Sequence, residues 1–354
     1  MIIPATLDKS AIIELLSLPL ADCSPLFEKA AAVKREIVGD VVYLRGLIEY
    51  SNVCSKNCHY CGIRKDNANV ERYTMTDEEV ITAAQFAYNS GYGSIVLQAG
   101  EVSTPAHSQK ITRILQLINE VANGKLGITL SLGEQSAETL AEWRNAGAHR
   151  YLLRIETSNP ALYSKLHPAD THHRYIHRID AIQLLCDSGY QVGTGVMIGL
   201  PFQTLEDLAD DLLFFRNRDV DMIGMGPYIE HSDTPLYEHR STLLPLQERF
   251  ELSLKMVALL RLLMPDINIA ATTAMQTIDP IGREKAIQVG ANVVMPNITP
   301  VQYRKSYLLY ENKACIEEAA VQCKHCLERR ILSVNNKIGY GKWGDSQHFR
   351  RRDN

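Results

Sequence analysis

"NSGYGSIVLQAG", residues 89–100, sets the pattern from which the fold is read. An amphipathic stretch stops at Gly91 and a β-rich apolar run follows at once; glycine just past a helix takes the left-handed conformation without steric cost. The same punctuation returns in "NAGAHRYLLRIET" at Gly147, "DSGYQVGTGVMIGLP" at Gly189 and "QVGANVVMPNI" at Gly290. Adding "VYLRGLIEYS", "LGITLSLGE", "DMIGMGPYI" and "NIAATTAM" makes eight expected strands, nearly all separated by helical patterns. Two helices open on capping boxes, "TDEE" from Thr76 and "TLED" from Thr204, where threonine and acid each satisfy an orphaned amide. This alternation predicts an α/β fold, a (β/α)8 TIM barrel, with an open doubly wound sheet as its rival. The expected organisation is an N-terminal helical flank over residues 1–40, the barrel core over 41–300, and a C-terminal extension over 301–354.

Composition fits a globular chain: 354 residues, 45% hydrophobic and 22% charged. A net charge of -4 argues against a nucleic-acid partner, and the basic tail "HFRRRDN" reads as a solvated terminus. The opening "MIIPATLDKSAIIELL" lacks the pattern of a signal peptide. "KMVALLRLLMP" is short and carries an arginine, so it reads as a core helix with no membrane role. Eight cysteines, three of them clustered, point to metal binding in a reducing, cytoplasmic setting rather than to a disulfide framework.

Those three are Cys54, Cys58 and Cys61 in "CSKNCHYCG", spaced C-x3-C-x2-C just past the first strand. In a barrel that position is the C-terminal face, where chemistry gathers. Three thiolates can hold three irons of a cubane and leave the fourth open, whereas a closed 4Fe-4S cluster takes four cysteines. A zinc site completed by His59 is the alternative. "GTGVMIG" at 193–199 has glycines at the wrong spacing for a dinucleotide fingerprint and lies within an expected strand.

With Tyr60 before its last cysteine, the loop resembles the signature of radical S-adenosylmethionine enzymes. Further blocks, "IEYSNVCSKNCHYCGIRKDN", "IVLQAGE", "AGAHRYLLRIETSNP", "DMIGMGPYIEHSDTPL", "ATTAMQTIDPIGRE" and "GANVVMPNITP", resemble the HydE-type maturases of FeFe-hydrogenases, relatives of biotin synthase and methylornithine synthase. The likeness runs from about residue 40 to the mid-320s. Ile155, where the family pattern suggests a histidine, and the tail after 330 depart from it.

The resemblance implies a 4Fe-4S cluster on Cys54, Cys58 and Cys61 whose open iron binds S-adenosylmethionine, which is cleaved reductively to a 5'-deoxyadenosyl radical. It assigns cofactor contacts to Tyr60, to Gln98, Ala99, Gly100 and Glu101 of "QAGE", and to Ser131. Glu156 would take the ribose hydroxyls and Arg178 the methionine carboxylate, roles that suit a carboxylate and a guanidinium fork. The blander readings are helix-start acids for Glu101 and Glu134, and a solvated arginine at 178. Arg154, Thr272, Thr273, Met275, Tyr303 and Tyr307 are the candidates for the substrate side of the mouth, with tyrosine packing as the alternative.

Cys315, Cys323 and Cys326, with His325 beside them, resemble a second-cluster site of 2Fe-2S type found in some of these maturases. The implied substrate is a small organometallic iron complex of cysteine, carbon monoxide and cyanide. The implied partners are the HydG-type maturase that makes it, the HydF-type scaffold, and a low-potential electron donor. A methylornithine-synthase-like or biotin-synthase-like enzyme acting on an amino-acid-like substrate is the runner-up. A non-catalytic iron-sulfur or zinc carrier belongs to a different class.

Overall fold

In the computed structural model of the chain, residues 3–4, 6–318 and 320–352 are described, apart from the side chains at 321–323 and 325. Eight parallel strands form the core: β1 Val41–Ser51, β2 Ser94–Ala99, β3 Gly127–Ser131, β4 Ala148–Leu152, β5 Gln191–Thr194, β6 Met222–Ile223, β7 Asn268–Ile269 and β8 Val293–Val294. The hydrogen-bonded order runs β8-β1-β2-β3-β4-β5-β6-β7. A parallel bridge between Ala270 and Val293 joins β7 to β8, with Asn292 N donating to Ile269 O and Ala271 N to Val293 O, both at 2.9 Å. The ring therefore closes, and the barrel prevails over the open sheet.

Local sequence explains the alternation. Gly91 turns at φ +76°, ending the helix Asp77–Asn89 so that β2 can start. Thr76 with Glu79 and Thr204 with Asp207 both form complete capping boxes. The helix Leu246–Leu263 is exposed in its first turn and buried from Arg249 to Arg261 apart from Glu251, and its Arg261 is satisfied by the carbonyls of Gly290, Pro265 and Ile267. Among the described residues no helix is long and apolar enough to cross a membrane. "NIAATTAM" yields only a two-residue strand before the helix Thr273–Ile278, because Thr272 already takes the N-cap conformation.

The amino-terminal helices Lys9–Ser17 and Ser24–Ile37 lie outside the ring, against the helices Leu205–Asn217, Leu246–Leu263 and Gly282–Val289. The base of the barrel is closed from the other terminus. Lys337–Ile338 pairs parallel to the start of β1, and the chain then crosses beneath the barrel. There it meets polar side chains that the strands turn inward. The Trp343 carbonyl accepts from Ser94 and Arg150, and the Gly344 carbonyl accepts from Arg45 and Asn268. Asp345 pairs with Arg150 and accepts from Gln191. Two buried arginines thus bond to the tail, and Asp345 gives Arg150 its counter-charge.

Candidate active site

The loop after β1 is stiffened before any cofactor is considered. The Arg72 guanidinium donates to five carbonyls, those of Asn52, Ile63, Arg64, Lys65 and Asn67, at 2.6–3.2 Å. Asn57 N donates to Nε2 of His173 at 2.8 Å, and Gly62 N to the Leu309 carbonyl at 3.0 Å. At Gly100 a β-carbon would stand 2.3 Å from the Val53 carbonyl oxygen and 2.7 Å from Cys54 Cβ. Glycine is what lets the end of β2 lie against the cysteine loop. Glu101 N then donates to Cys54 Sγ at 3.3 Å, and Ser55 N to the Glu101 carbonyl at 2.8 Å.

Cys54, Cys58 and Cys61 are free thiols, with Cys54 opposing ionisation of Cys58 and both opposing that of Cys61. Burial pushes Cys58 up to about 12 and Cys61 well above the usual range, with Arg178 offsetting part of the effect at Cys58. Tyr60 bonds toward Cys58 and meets His167 edge-on at 5.5 Å between ring centroids. His59, the candidate zinc ligand, instead directs Nδ1 to the Lys165 carbonyl at 3.4 Å. Among the described residues no three His, Cys, Asp or Glu side chains are grouped for a single metal ion.

Beside the thiols lies a square of buried charges. Lys56 Nζ is 3.1 Å from Glu101 Oε1 and 3.0 Å from Glu134 Oε2. Arg178 Nε is 2.8 Å from Glu134 Oε1 and its Nη2 is 3.5 Å from Glu101 Oε2. Burial raises the Glu101 carboxyl above its ordinary value, with Arg178 opposing. The readings of Glu101 and Glu134 as helix-start acids and of Arg178 as a solvated residue are both overturned. The helices that follow start only at Pro105 and Ala137, and the Arg178 side chain is 12% exposed.

Past β4, Arg154 and Glu156 form a forked pair, with Arg154 Nε 2.9 Å from Oε1 and Nη2 2.8 Å from Oε2. Arg154 also donates to the carbonyls of Gly224 and Val196. Glu156 sits at φ +67°, a conformation that side chains disfavour. Ile155, between them, is fully buried in the main apolar core. On β2, Gln98 Nε2 donates to the Tyr307 hydroxyl at 3.2 Å, while Lys313 ion-pairs with buried Glu49 and donates to the Tyr307 carbonyl. Ser131 pairs in register with Gln98 across the β2–β3 ladder, next to Ala99.

The structure thus gathers most of the expected residues: the first thiol trio, Tyr60, Gln98 to Glu101, Ser131, Arg154, Glu156, Arg178 and Tyr307 lie at the C-terminal ends of β1 to β4 and on the segments packed against them. Thr272 Oγ1 lies 3.4 Å from the Met225 carbonyl, at the rim. Three further candidates are engaged by protein partners or packing. Thr273 Oγ1 is taken by Arg283 at 2.6 Å, and Met275 packs in the main core with 1% exposure. Tyr303 stacks on Tyr73 at 4.5 Å and gives its hydroxyl to Glu79, outside the mouth. Cys315 takes a thiol contact from Gln276 at 3.6 Å, and Cys326 is exposed. The side chains of Cys323 and His325 lie outside the described residues. Lys56, Arg72 and His173 were not foreseen. Lys56 stands inside the cysteine motif, the one signal available.

A closed parallel barrel with three thiols on the loop after its first strand defines the radical S-adenosylmethionine class. The sequence pattern of the Radical SAM superfamily matches residues 48–215. The [FeFe] hydrogenase maturase subunit HydE of Thermotoga maritima is 47% identical over 319 residues, which span 90% of this chain and 88% of that protein. The 3-methylornithine synthase of Methanosarcina acetivorans is 28% identical over 272 residues, 76% of this chain and 73% of that one. Among solved structures, methylornithine synthase PylB superposes with a TM-score of 0.79 at 24% identity over 95% of both chains. HydG, a maturase of the [FeFe]-hydrogenase, gives 0.78 at 20% over 94% of this chain and 73% of that one. At those identities the two structures speak for the fold alone. The chain belongs to the HydE family of radical S-adenosylmethionine enzymes.

Membership implies a 4Fe-4S cluster and S-adenosylmethionine, and the donors fit them. Thiols pushed up by burial ionise only against strong positive charge in direct contact, which iron supplies. Three of them leave one corner of a cubane without a protein ligand.

Proposed function

We propose that this enzyme carries out the HydE-type step in FeFe-hydrogenase H-cluster assembly, acting on a small iron complex of cysteine, carbon monoxide and cyanide. The observation that carries the proposal is the 47% identity to the Thermotoga maritima maturase along 90% of the chain. Cluster and S-adenosylmethionine together supply the 5'-deoxyadenosyl radical. Cys54, Cys58 and Cys61 hold the cluster; Tyr60, Gln98, Ala99, Gly100, Glu101 and Ser131 shape the cofactor pocket.

Glu156 takes the ribose hydroxyls, with its carboxylate held in place by Arg154. Arg178 takes the methionine carboxylate. Arg154, Thr272 and Tyr307 face the substrate, and the segment Tyr307–Lys313, pinned by Gln98, Gly62 and Glu49, keeps water from the mouth. HydG-type and HydF-type maturases are the proposed neighbours upstream and downstream, a low-potential donor supplies the electron, and the setting is cytoplasmic. Cys315, Cys323 and Cys326 are the proposed ligands of a 2Fe-2S cluster.

The test is anaerobic turnover of the reconstituted protein with dithionite, S-adenosylmethionine and the synthetic iron-cysteine complex. An adenosylated product is expected. Free 5'-deoxyadenosine formed only with an amino-acid substrate would favour the methylornithine-type reading, and no cofactor cleavage at all would favour the carrier.

A further inference from the structure

Four elements meet at the square of charges beside the cysteine loop: Lys56 from the loop itself, Glu101 past β2, Glu134 past β3, and Arg178 on the helix Tyr175–Asp187. All four side chains are between 10% and 19% exposed. Within the square, each carboxylate gives one oxygen to each cation, so the four charges sum to zero. The two cations are not held alike. Lys56 makes an aligned hydrogen bond to Glu134 at 3.0 Å and a further one to the His172 carbonyl. Arg178 is bonded less tightly: its Nε, although 2.8 Å from Glu134, has no aligned hydrogen bond, its Nη2 contact to Glu101 is 3.5 Å, and its Nη1 reaches the Arg154 carbonyl only at 3.4 Å.

We propose that Lys56 is a positioning residue for the cofactor: it holds Glu101 and Glu134 so that the Arg178 guanidinium is left for the cofactor's carboxylate. The proposal rests on the reading of Arg178 given above and adds the reason why Arg178 is available. An incoming carboxylate makes three anions against two cations. Without Lys56 the count is three against one, and Arg178 stays trapped between the two glutamates that are already there. Lys56 also belongs to the loop that carries Cys54 and Cys58, so the same contacts set the distance between the cysteine loop and the carboxylate pocket.

Equilibrium dialysis of the cluster-loaded protein tests this, using S-adenosylmethionine and its decarboxylated analogue. Wild type should prefer the intact cofactor. K56M should bind S-adenosylmethionine about tenfold more weakly while changing the analogue by about twofold or less. K56R should recover the preference. K56M/E134Q, with one cation and one anion fewer, should regain most of the affinity that K56M loses, which a merely disordered loop would not do. Equal weakening of both ligands in K56M, or no weakening of either, overturns the role of Lys56. If K56M fails to load iron, the K56M/E134Q double variant decides: affinity and preference near wild type support the proposal, and their loss overturns it. A wild type that binds both ligands alike overturns instead the assignment of Arg178 on which the proposal stands.

Discussion

Replacing Gly100 by alanine puts a methyl group where the end of β2 lies against the cysteine loop. The added carbon would fall 2.3 Å from the Val53 carbonyl oxygen and 2.8 Å from the Val53 carbonyl carbon, against an ordinary contact of 3.4 Å or more. Both obstacles are backbone, so neither can rotate away, and the segments must part by about 1 Å. Overpacking of this kind costs about 1–3 kcal/mol of stability. The larger effect is on geometry: the bond from Glu101 N to Cys54 Sγ, now 3.3 Å, is broken, and a 1 Å displacement of reacting partners lowers rate by about a hundredfold. The assay is iron content and electron paramagnetic resonance of the reconstituted variant, followed by 5'-deoxyadenosine formation. Expected are a loaded cluster, weakened cofactor response and turnover down by about two orders of magnitude. Wild-type turnover in G100A would show that the close approach of "QAGE" to the cysteine loop has no bearing on the chemistry.

Other changes follow from the same geometry. Asp345→Asn removes the anion that faces fully buried Arg150 and should destabilise the fold by about 3 kcal/mol, read as a shift in denaturant midpoint. Asp211, wholly buried and raised to about 7 chiefly by burial, contributes stability that is fully present below about pH 4 and is lost as pH rises through about 7. Asp211→Asn should abolish that slope, a difference of about 4 kcal/mol at pH 8 by chemical denaturation. Tyr303→Phe, which removes only the bond to Glu79, should lower stability by about 1 kcal/mol and leave turnover unchanged, whereas Tyr307→Phe, at the mouth beside Gln98, should slow it.

The sequence made local features legible. The glycine stops and capping boxes act within a few residues, and the cysteine spacing announces its chemistry over eight positions, so strands, barrel and thiol trio were all readable. What escaped depends on pairings across long stretches of chain. Lys56 meets Glu134 from 78 residues away, and Arg150 meets Asp345 from 195. No periodicity encodes such partners. A tail that reads as a solvated basic terminus instead closes the base of the barrel, with Arg352 against Asp221 and His348 against Asp266. Tyr303 and Tyr307 are four residues apart and looked alike, yet one is claimed by Glu79 outside the mouth and the other by Gln98 within it.

The most direct measurement is electron-nuclear double resonance on the reduced, reconstituted enzyme mixed with S-adenosylmethionine labelled with nitrogen-15 in its methionine amino group. Three protein thiolates on a 4Fe-4S cluster predict a hyperfine coupling from that nitrogen, present in wild type and absent when Cys58 is replaced by alanine. A reduced cluster whose spectrum is unchanged by the labelled cofactor would mean that the fourth iron is already capped, and would contradict the account.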